Sequence, residues 1–273
     1  MSNETILITG CSSGIGRLTA TFFQQKGWNV IATVRSKPDV DAELNALDNV
    51  LVTTLDVTKK DTIEAAIAAG IDRFGKIDVV LNNAGYGSYG LLEATPEHKM
   101  RMQYEVNVIG TMLVMQAIIP HFRERGAGTI INISSMGGKI TFPLGTLYHG
   151  SKFAVEGMSE ALSFEMSAIG VRVKLVEPGM MKTNFGGSSF DMNLDPSLTE
   201  YDDFVAGMTA AMAAGGESAG DPITVAETIW QAATDGSDQL RYVAGEDAEQ
   251  IIAARKAMDD PDYLALIRSQ MGL

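Results

Sequence analysis

Short apolar runs alternate along the chain with longer segments whose apolar residues recur every three or four positions. The runs consist almost entirely of valine, isoleucine and leucine, which is typical of strands buried on both faces of a parallel sheet. The predicted strands span residues 5–9, 29–34, 49–55, 78–82, 128–134, 171–176 and 240–244. The clearest predicted helices span residues 15–26, 61–74 and 97–125. This alternation predicts an α/β fold, a doubly wound parallel sheet of about seven strands with helices on both faces.

The pattern changes after Pro178. Residues 180–222 combine methionines and phenylalanines with glycines that interrupt any long regular element. A chain of 273 residues fits one large α/β domain, and no linker, repeat or low-complexity tract precedes residue 180. We therefore expect a single domain over residues 1–273, with residues 186–222 as a mobile, apolar insertion within it.

The composition narrows the choice of partners and compartment. The 34 acidic residues outnumber the 21 basic ones, and the chain has no lysine- or arginine-rich run. This balance argues against nucleic acid as a binding partner. The single cysteine, Cys11, excludes an internal disulfide and fits a reducing cytoplasm. The first ten residues lack a basic segment and a long apolar run, and no other apolar stretch approaches the ~18 residues of a membrane span. We expect a soluble, cytoplasmic protein with no membrane partner.

The stretch TGCSSGIG, residues 9–16, follows the first predicted strand and opens the first predicted helix. In this context a glycine-rich loop binds the phosphates of a dinucleotide. Gly10 suits a tight turn, while Gly14 and Gly16 allow the backbone to approach a pyrophosphate and the helix to pack closely on the sheet. The free N–H groups at the start of the helix then face the phosphates. The alternative is an ordinary strand-to-helix turn that contains glycines.

The spacing of these glycines resembles that of the short-chain dehydrogenase/reductase family, whose loop reads T-G-x-x-x-G-x-G. Further stretches are similar to motifs of that family: LNNAG at 81–85, EVNVIG at 105–110, YHGSK at 148–152 and PGMMKT at 178–183. The similarity covers residues 5 to 185 and resumes at RYVAG, 241–245. TGCSSGIG and ATVR also resemble the 17-beta-hydroxysteroid and retinol dehydrogenase branches. The resemblance implies a Rossmann fold and an oxidoreductase that uses a nicotinamide cofactor.

The resemblance implies four catalytic residues, Asn107, Ser135, Tyr148 and Lys152. Tyr148 would be the general acid/base, and the Lys152 ammonium and the oxidised nicotinamide would lower its pKa from about 10. Ser135 would hydrogen-bond the substrate oxygen. Lys152 would also bind the nicotinamide ribose, and Asn107 would hold a water that connects Lys152 to solvent. Taken singly, each residue also has a structural interpretation, as an interface tyrosine, a helix cap, a helix-interior hydrogen bonder or a solvated charge.

The cofactor contacts fall mostly on the same motifs. In the family, the counterpart of Asp56 contacts the adenine of the cofactor, and the counterpart of Thr183 holds the carboxamide of the nicotinamide. Asn82 would help to shape the adenosine and ribose site. The alternative is that Asn82 is purely structural and links neighbouring strands. The predicted cofactor-binding residues are Gly10, Ser12, Ser13, Gly14, Ile15, Gly16, Arg35, Asp56, Val57, Asn83, Ala84, Gly85, Tyr148, Lys152, Pro178, Gly179 and Thr183. No cluster has metal-ligand spacing, so no metal site is expected, and neither His121 nor His149 occupies a motif position.

The end of the second predicted strand, ATVRSK at 32–37, bears on the choice of cofactor. Folds that prefer NAD place a carboxylate there for the ribose 2′-hydroxyl. Val34 stands at that position, Arg35 and Lys37 follow, and the first acidic residue is Asp39. The Arg35 guanidinium matches a 2′-phosphate, and Ser12 offers a hydroxyl. We therefore expect NADP(H) to be preferred and NAD(H) to be the second choice. The alternative is that Arg35 is simply exposed.

Together these features predict an NADP(H)-dependent oxidoreductase that interconverts a ketone or aldehyde and an alcohol. The alternative is a non-catalytic NADP-sensing or scaffold protein on the same fold. The resemblance also implies a homodimer or homotetramer. Ala154, Met158 and Leu162 form an apolar stripe on the helix that bears Tyr148, which suits either such an interface or the core.

The segment 186–222 follows Thr183, so we expect it at the carboxyl edge of the sheet, where ligands of open α/β folds bind. Acidic residues within it would face solvent: Asp191, Asp195, Asp202 and Asp203. Its apolar residues and the neighbouring Phe185 would line a flexible wall: Phe190, Met192, Phe204, Met208 and Met212. We expect a lid with glycines at both ends that closes over an apolar, uncharged carbonyl substrate. A static cap on the core is the alternative.

Overall fold

Seven strands lie side by side in one sheet, and every neighbouring pair is parallel. The computed structural model describes residues 3–36, 42–183, 189–217 and 219–272. The strands are β1 (Thr5–Ile8), β2 (Asn29–Val34), β3 (Val50–Thr54), β4 (Val79–Asn82), β6 (Gly128–Ile133), β7 (Val171–Pro178) and β9 (Arg241–Ala244). Two more strands, β5 (Gly87–Gly90) and β8 (Phe190–Asn193), pair with each other. Each strand of the large sheet coincides with a predicted strand, which confirms the predicted fold class.

Helices cover both faces of the sheet. They are α1 (Gly14–Gln25), α2 (Ala42–Asn45), α3 (Lys60–Phe74), α4 (Glu97–Tyr104), α5 (Thr111–Arg125), α6 (Thr146–Ser167), α7 (Asp202–Glu217), α8 (Ile223–Thr234), α9 (Glu246–Ala257) and α10 (Asp260–Gln270). Because side chains alternate along a strand, Ile6 and Ile8 enter one core and Leu7 enters the other. The first core receives α1 and α8, and the second receives α3 and α5.

The strand order is β3-β2-β1-β4-β6-β7-β9, so it reverses at β1. From β1 the chain adds β2 and β3 on one side, and it then returns to add β4 on the other. In an open sheet of this kind, the loops after the two strands at the reversal diverge and leave a crevice at their carboxyl ends. The loop after β1 carries the predicted glycine motif, and the loop after β4 carries LNNAG.

One helical stretch, Glu97–Arg125, comprises α4, a π-helical turn over Glu105–Gly110 and α5. Within the described residues it is the one helix long and apolar enough to cross a membrane by length and composition. No such stretch was expected from the sequence. Val114, Ile118 and Phe122 are fully buried in the second core. Packing against the sheet therefore accounts for these apolar residues, whereas Met102, Ile109 and Met112 of the same stretch are exposed.

The small sheet of β5 and β8 was not predicted. It brings the first described residues of the predicted insertion onto the loop after β4, with Gly87 opposite Phe190 and Gly90 opposite Asn193. The Asn193 side chain donates to Ser88 Oγ and to the Tyr89 carbonyl oxygen, at 3.0 Å each. Phe185, Gly186 and Gly187 lie outside the described residues. The described start of the segment is therefore a paired strand, and lid closure stays a prediction.

A chain of buried amides joins β4, β6 and α6. Asn82 Nδ2 donates to Asn132 Oδ1 at 2.8 Å, and Asn132 Nδ2 donates to Ser159 Oγ at 2.8 Å. Asn132 and Ser159 are completely buried, and Asn82 is nearly so. The structural interpretation of Asn82 agrees with this arrangement, because its side chain is committed to the neighbouring strand.

Replacing Asn132 with alanine should lower the free energy of unfolding by about 1–3 kcal/mol, because the Asn82 amide then loses its buried acceptor. Urea denaturation followed by circular dichroism measures this change. Asn3→Ala, at an exposed position, is the control and should change stability by less than about 0.5 kcal/mol. Equal stability of the two variants would contradict a stabilising role for the amide chain.

Candidate active site

The glycine loop lies at the crevice between β1 and β4. Gly10 and Gly14 have φ angles of 76° and 58°, which glycine adopts without strain. A Cβ on Gly16 would collide with the Gly10 carbonyl oxygen and with the Asn83 side chain. Asn83 Nδ2 donates to the carbonyl oxygens of Thr9 and Gly10, at 2.8 and 3.1 Å. The close packing of α1 on this loop therefore requires glycine at position 16.

Thr9 also shapes the crevice, although the sequence analysis assigned it no role. Its Oγ1 accepts the backbone N–H groups of Asn83 and Ala84, at 3.0 Å each. The side chain thus ties the loop after β4 to the end of β1. The threonine that precedes the first glycine in TGCSSGIG was the available signal.

The start of α1 suits a phosphate group. Ser13 has an extended backbone before the first turn, and within the described residues no side chain caps this end of the helix. The first N–H groups of α1 are therefore left for an anion. Ser12 is exposed at the surface of the loop, whereas Ile15 packs partly against the first core. The residues of the loop fit the pyrophosphate of a dinucleotide.

The loops after β2 and β3 carry the other residues predicted to meet the adenosine end. Val34 is buried at the end of β2, and the next residue, Arg35, is exposed. Asp56 Oδ1 accepts from the Thr58 backbone N–H and hydroxyl, at 3.0 and 2.8 Å. Val57 is buried against Gly110. Lys37 and Asp39 lie outside the described residues.

The predicted catalytic tyrosine and lysine lie one helical turn apart on α6. Both are buried, with 9% of Tyr148 and 8% of Lys152 exposed. Lys152 Nζ donates to the Ile133 carbonyl oxygen at 2.9 Å and lies 5.8 Å from the centre of the Tyr148 ring. Ser135 follows β6, and its side chain hydrogen-bonds that of Tyr148. The structure thus brings Ser135, Tyr148 and Lys152 together.

Asn107 completes the group from the π-helical turn. Its Nδ2 donates to the Tyr86 carbonyl oxygen at 2.9 Å and to Ser151 Oγ at 3.1 Å, and its Oδ1 accepts the Tyr86 N–H at 3.1 Å. Gly85 lies between Asn107 and Lys152: a Cβ there would be 3.2 Å from Asn107 Oδ1 and 3.9 Å from Lys152 Nζ. All four residues predicted to be catalytic therefore share one site.

Burial moves the pKa values of Tyr148 and Lys152 in opposite directions. It raises the pKa of Tyr148 above its ordinary value, and the Ser135 hydrogen bond opposes that rise. It lowers the pKa of Lys152 to about 8, against the opposing charge of Glu156. In the protein alone, desolvation of the phenolate is the largest effect on the Tyr148 pKa, and its lowering by Lys152 together with the oxidised nicotinamide stays a prediction. At neutral pH the tyrosine is a phenol and most of the lysine is an ammonium.

The loop after β7 carries Pro178, Gly179 and Thr183. Pro178 is the last residue of β7, and the Gly179 N–H donates to the Ala244 carbonyl oxygen at 2.9 Å. Asp247, from the first turn of α9, accepts the Met180 N–H at 2.7 Å and occupies the space that a Cβ on Gly179 would need. Sequence reasoning missed Asp247, and its only signal was the acidic start of the helix after RYVAG. The Thr183 N–H donates to the Met181 carbonyl oxygen at 2.8 Å.

The small sheet faces this group with aromatic and apolar side chains. Tyr89, Phe190 and Met192 occupy one face of the sheet. The Tyr89 ring stacks on Phe190 at 5.1 Å between centroids and lies 5.3 Å from the Tyr148 ring. An apolar wall therefore borders Tyr148, although only Phe190 and Met192 of its residues were predicted to belong to it.

The opposite face of the small sheet is polar. Asp191 forms an ion pair with Lys99 of α4 at 2.8 Å, and both side chains are about one-third exposed. Asp191 was expected to face solvent, but pairing of β8 with β5 turns it toward α4 instead. Asp195, Asp202 and Asp203 are exposed as expected.

Two further glutamates lie behind Lys152. Glu156, on the next turn of α6, and Glu177, on β7, are 4% and 2% exposed. Arg241 Nε lies 2.8 Å from Glu156 Oε2 and 3.5 Å from Glu177 Oε1. Burial and the neighbouring Glu156 raise the pKa of Glu177 to about 7. The pair therefore retains a proton in the near-neutral range, and neither glutamate was singled out from the sequence.

A glycine-rich loop at the strand-order reversal, together with Ser135 and the buried Tyr148 and Lys152, is the arrangement expected of an oxidoreductase of the α/β class. The family model of short chain dehydrogenases matches residues 4–194. The chain belongs to the short-chain dehydrogenase family, and it is an oxidoreductase that acts on the CH–OH/C=O pair.

Relatives support the same assignment. An uncharacterized oxidoreductase of Schizosaccharomyces pombe is 45% identical over 84% of this chain and 96% of its own length. A crystal structure of a short-chain dehydrogenase from Streptomyces avermitilis, 31% identical, covers 100% of this chain and 98% of its own with a TM-score of 0.83. A structure of ElxO with NADP bound, 26% identical, covers 88% of this chain and 97% of its own with a TM-score of 0.70.

Replacing Glu177 with glutamine should change how stability depends on pH. Because the folded protein holds the Glu177 pKa near 7, above the ~4.3 of a solvated glutamate, the folded state binds more protons between these values. The free energy of unfolding of the wild type should therefore fall as pH rises from about 5 to 7. The glutamine variant should lack this fall, so its stability relative to the wild type should increase with pH.

Urea denaturation at pH 5, 6 and 7 measures this dependence. Glu227→Gln removes a carboxylate at an exposed position of α8 and is the matched control, with a pH dependence like that of the wild type. A constant stability difference between Glu177→Gln and the wild type across this range would contradict a proton held by the pair.

Proposed function

We propose that the protein is an NADP(H)-dependent oxidoreductase that interconverts an apolar, uncharged ketone or aldehyde and the corresponding alcohol, with Tyr148 as general acid/base. The observation that carries the proposal is the group formed by the partly buried Ser135 and the buried Tyr148 and Lys152. It lies beside a crevice that fits a dinucleotide and an aromatic wall that fits an apolar substrate.

In the direction of reduction, Tyr148 donates its phenolic proton to the carbonyl oxygen of the substrate. The NADPH cofactor, when bound, supplies the hydride. Ser135 hydrogen-bonds the same oxygen and stabilises the charge that develops on it. Lys152 keeps a positive charge next to Tyr148, which favours the phenolate as the proton leaves. Its ammonium also binds the nicotinamide ribose, and Asn107 holds a water between Lys152 and solvent.

The proposed preference for NADP(H) depends on the end of β2. Val34 leaves this position without a carboxylate for a ribose 2′-hydroxyl, and the exposed Arg35 is free of the core to reach a 2′-phosphate. The NADP bound in the ElxO structure supports the same choice. NAD(H) remains the second choice.

The substrate class follows from the wall of the site. Tyr89, Phe190 and Met192 offer an apolar surface next to Tyr148, and Met208 is buried against Leu91 and Leu144 behind it. A charged substrate would lose its hydration against such side chains without gaining a partner. We propose that the insertion 186–222 covers the substrate. At its far end, Gly220 exchanges backbone hydrogen bonds with Met180 and Lys182.

We further propose a cytoplasmic homodimer or homotetramer. Met158 and Leu162, part of the stripe predicted on α6, pack against the second core. Large apolar side chains are instead exposed elsewhere on α6 and on the preceding helical stretch: Phe153, Phe164, Ile109 and Met112. Exposed apolar side chains on neighbouring helices suit contact with a second copy of the chain.

Tyr148→Phe should lower kcat at least about 100-fold, the lower end for loss of a general acid, while NADPH still binds. Turnover of a panel of apolar ketones, aldehydes and alcohols, followed at the nicotinamide absorbance with both cofactors, measures the change. Tyr201→Phe removes an exposed hydroxyl that meets Glu93 and should leave kcat unchanged. Near-normal turnover of Tyr148→Phe would remove Tyr148 from the mechanism. A wild type that binds NADPH but turns over no member of the panel would favour a sensing or scaffold role.

Arg35→Ser should weaken NADPH binding roughly ten- to a hundredfold, the effect of losing one charge-assisted hydrogen bond, and leave NADH binding nearly unchanged. Adding Val34→Asp should improve NADH binding and weaken NADPH binding further, by repulsion of the 2′-phosphate. Fluorescence titration of each cofactor measures the affinities. Arg172→Ser, which removes an exposed arginine paired with Asp238, is the control for lost charge. A wild type that already binds NADH more tightly would overturn the preference.

A further inference from the structure

His149 lies next to Tyr148 on α6 and is 3% exposed, yet the mechanism above does not use it. Both of its ring nitrogens meet backbone groups. The Phe142 N–H donates to Nε2 at 3.0 Å, and Nδ1 lies 2.9 Å from the Gly137 carbonyl oxygen. A backbone N–H only donates and a carbonyl oxygen only accepts. The ring therefore has one consistent state, neutral with the proton on Nδ1.

One of these two bonds leads to the catalytic serine. Gly137 belongs to a short 3-10 helix, Met136–Gly138, that begins directly after Ser135. The Gly137 N–H donates to Ser135 Oγ at 3.0 Å, and the Ser135 side chain hydrogen-bonds Tyr148. By holding the Gly137 carbonyl group, His149 restrains the residue whose N–H orients the serine hydroxyl.

The other bond restrains the loop that leads from this turn into α6. Leu144 in this loop has a φ angle of 62°, a conformation that is strained for a residue with a Cβ and persists only when the surroundings enforce it. The enforcing contacts are the Phe142 bond to His149 and the Gly90 N–H, which donates to the Leu144 carbonyl oxygen at 2.8 Å. The loop is thereby fixed against β5, the strand that carries Tyr89.

The chain leaves room for the imidazole on both sides. A Cβ on Gly137 would lie 2.9 Å from His149 Nδ1, and a Cβ on Gly145 would collide with the other edge of the ring. The ring also contacts Tyr148 and Tyr89, with centroids 5.7 and 6.1 Å apart. The ring is thus enclosed in one orientation, as a positioning role requires.

We propose that His149 is a positioning residue for the reaction: as a neutral ring, it holds Ser135 against Tyr148 through Gly137 and holds the loop 142–145 through Phe142. It neither touches the substrate nor transfers a proton. The proposal builds on the function proposed above and assigns a role that the Tyr-x-x-x-Lys pattern does not contain.

Two substitutions separate the two bonds. The amide of an asparagine reaches about as far as Nδ1, and that of a glutamine about as far as Nε2. His149→Gln keeps an acceptor for Phe142 and loses the Gly137 bond, so kcat should fall about 10- to 100-fold, the effect of a misplaced catalytic group. His149→Asn keeps the Gly137 bond and loses the Phe142 bond, so KM should rise while kcat stays within about threefold. Equal losses of kcat in both variants would contradict the separate roles assigned to the Gly137 and Phe142 hydrogen bonds.

A double-mutant cycle tests whether His149 acts through Ser135. In a Ser135→Ala background, His149→Gln should lower kcat by less than about twofold, because the group that it positions is already missing. Multiplicative effects of the two substitutions would indicate a general structural role and overturn the proposal.

His121 provides a matched control. His121 lies on α5, outside the site, and its Nε2 accepts a hydrogen bond from the Ile77 N–H at 3.1 Å. His121→Gln should change the melting temperature about as much as His149→Gln and leave kcat and KM unchanged. A loss of kcat in this control as large as that in His149→Gln would trace the effect to stability.

The state of the ring is measurable without turnover. In protein labelled with nitrogen-15 at its 3 histidines, NMR should show one ring, absent from His149→Gln, as the neutral Nδ1–H form. Burial lowers the pKa of His149, so this ring should stay neutral to a lower pH than a solvated histidine. An Nε2–H form, or a charged ring at neutral pH, would overturn the proposal. If the ring has the expected form but the wild type turns over no carbonyl compound, the proposed function fails and the hydrogen-bond arrangement stands.

Discussion

The site is arranged around a buried ammonium. Removing Lys152 from water is costly unless fixed dipoles replace its hydration. The Ile133 carbonyl oxygen at the end of β6 supplies one of them at 2.9 Å. Ser135 follows two residues later along the chain, so the hydrogen bond between Lys152 and Ile133 also helps to set the distance between the serine and α6. Packing of α6 against β6, supported by the Asn132–Ser159 hydrogen bond, is therefore a condition for the chemistry.

A second constraint acts at the crevice. Gly16 lies so close to the Gly10 carbonyl oxygen that a Cβ on Gly16 would have no space. Hydrogen bonds of Thr9 and Asn83 tie the loop after β4 to the loop after β1. From Asn83 the chain runs through Gly85 to the backbone of Tyr86, which holds Asn107. The glycine loop and the proposed catalytic residues are consequently joined by one short, hydrogen-bonded segment. This connection explains why the LNNAG motif combines small residues with amides.

Much of this arrangement was predictable from local patterns. Continuous Val and Ile runs mark the buried strands, and TGCSSGIG and YHGSK mark the ends of elements that the fold then brings together. The small sheet was not predictable, because β5 reads Gly-Ser-Tyr-Gly and its strand character comes from pairing with a segment about a hundred residues away. Asp191 was misjudged for the same reason, since its partner Lys99 is distant in sequence. The Glu156–Glu177 pair and the roles of Thr9 and Asp247 also depend on tertiary contacts.

Charge and burial act on the Tyr148 pKa in opposite directions. A sequence motif records that a lysine lies four residues from a tyrosine, and Coulomb attraction alone would lower the tyrosine pKa. Burial disfavours the charged form of each group, so it moves the two pKa values apart, lowering that of Lys152 to about 8 and raising that of Tyr148 above its ordinary value. A proton leaving Tyr148 thus produces an anion in a poorly solvated place, where nearby positive charge has a larger effect than in water. The same desolvation that keeps the phenol protonated at rest therefore strengthens the influence of Lys152, and of any cation bound beside it, on the phenolate when it forms.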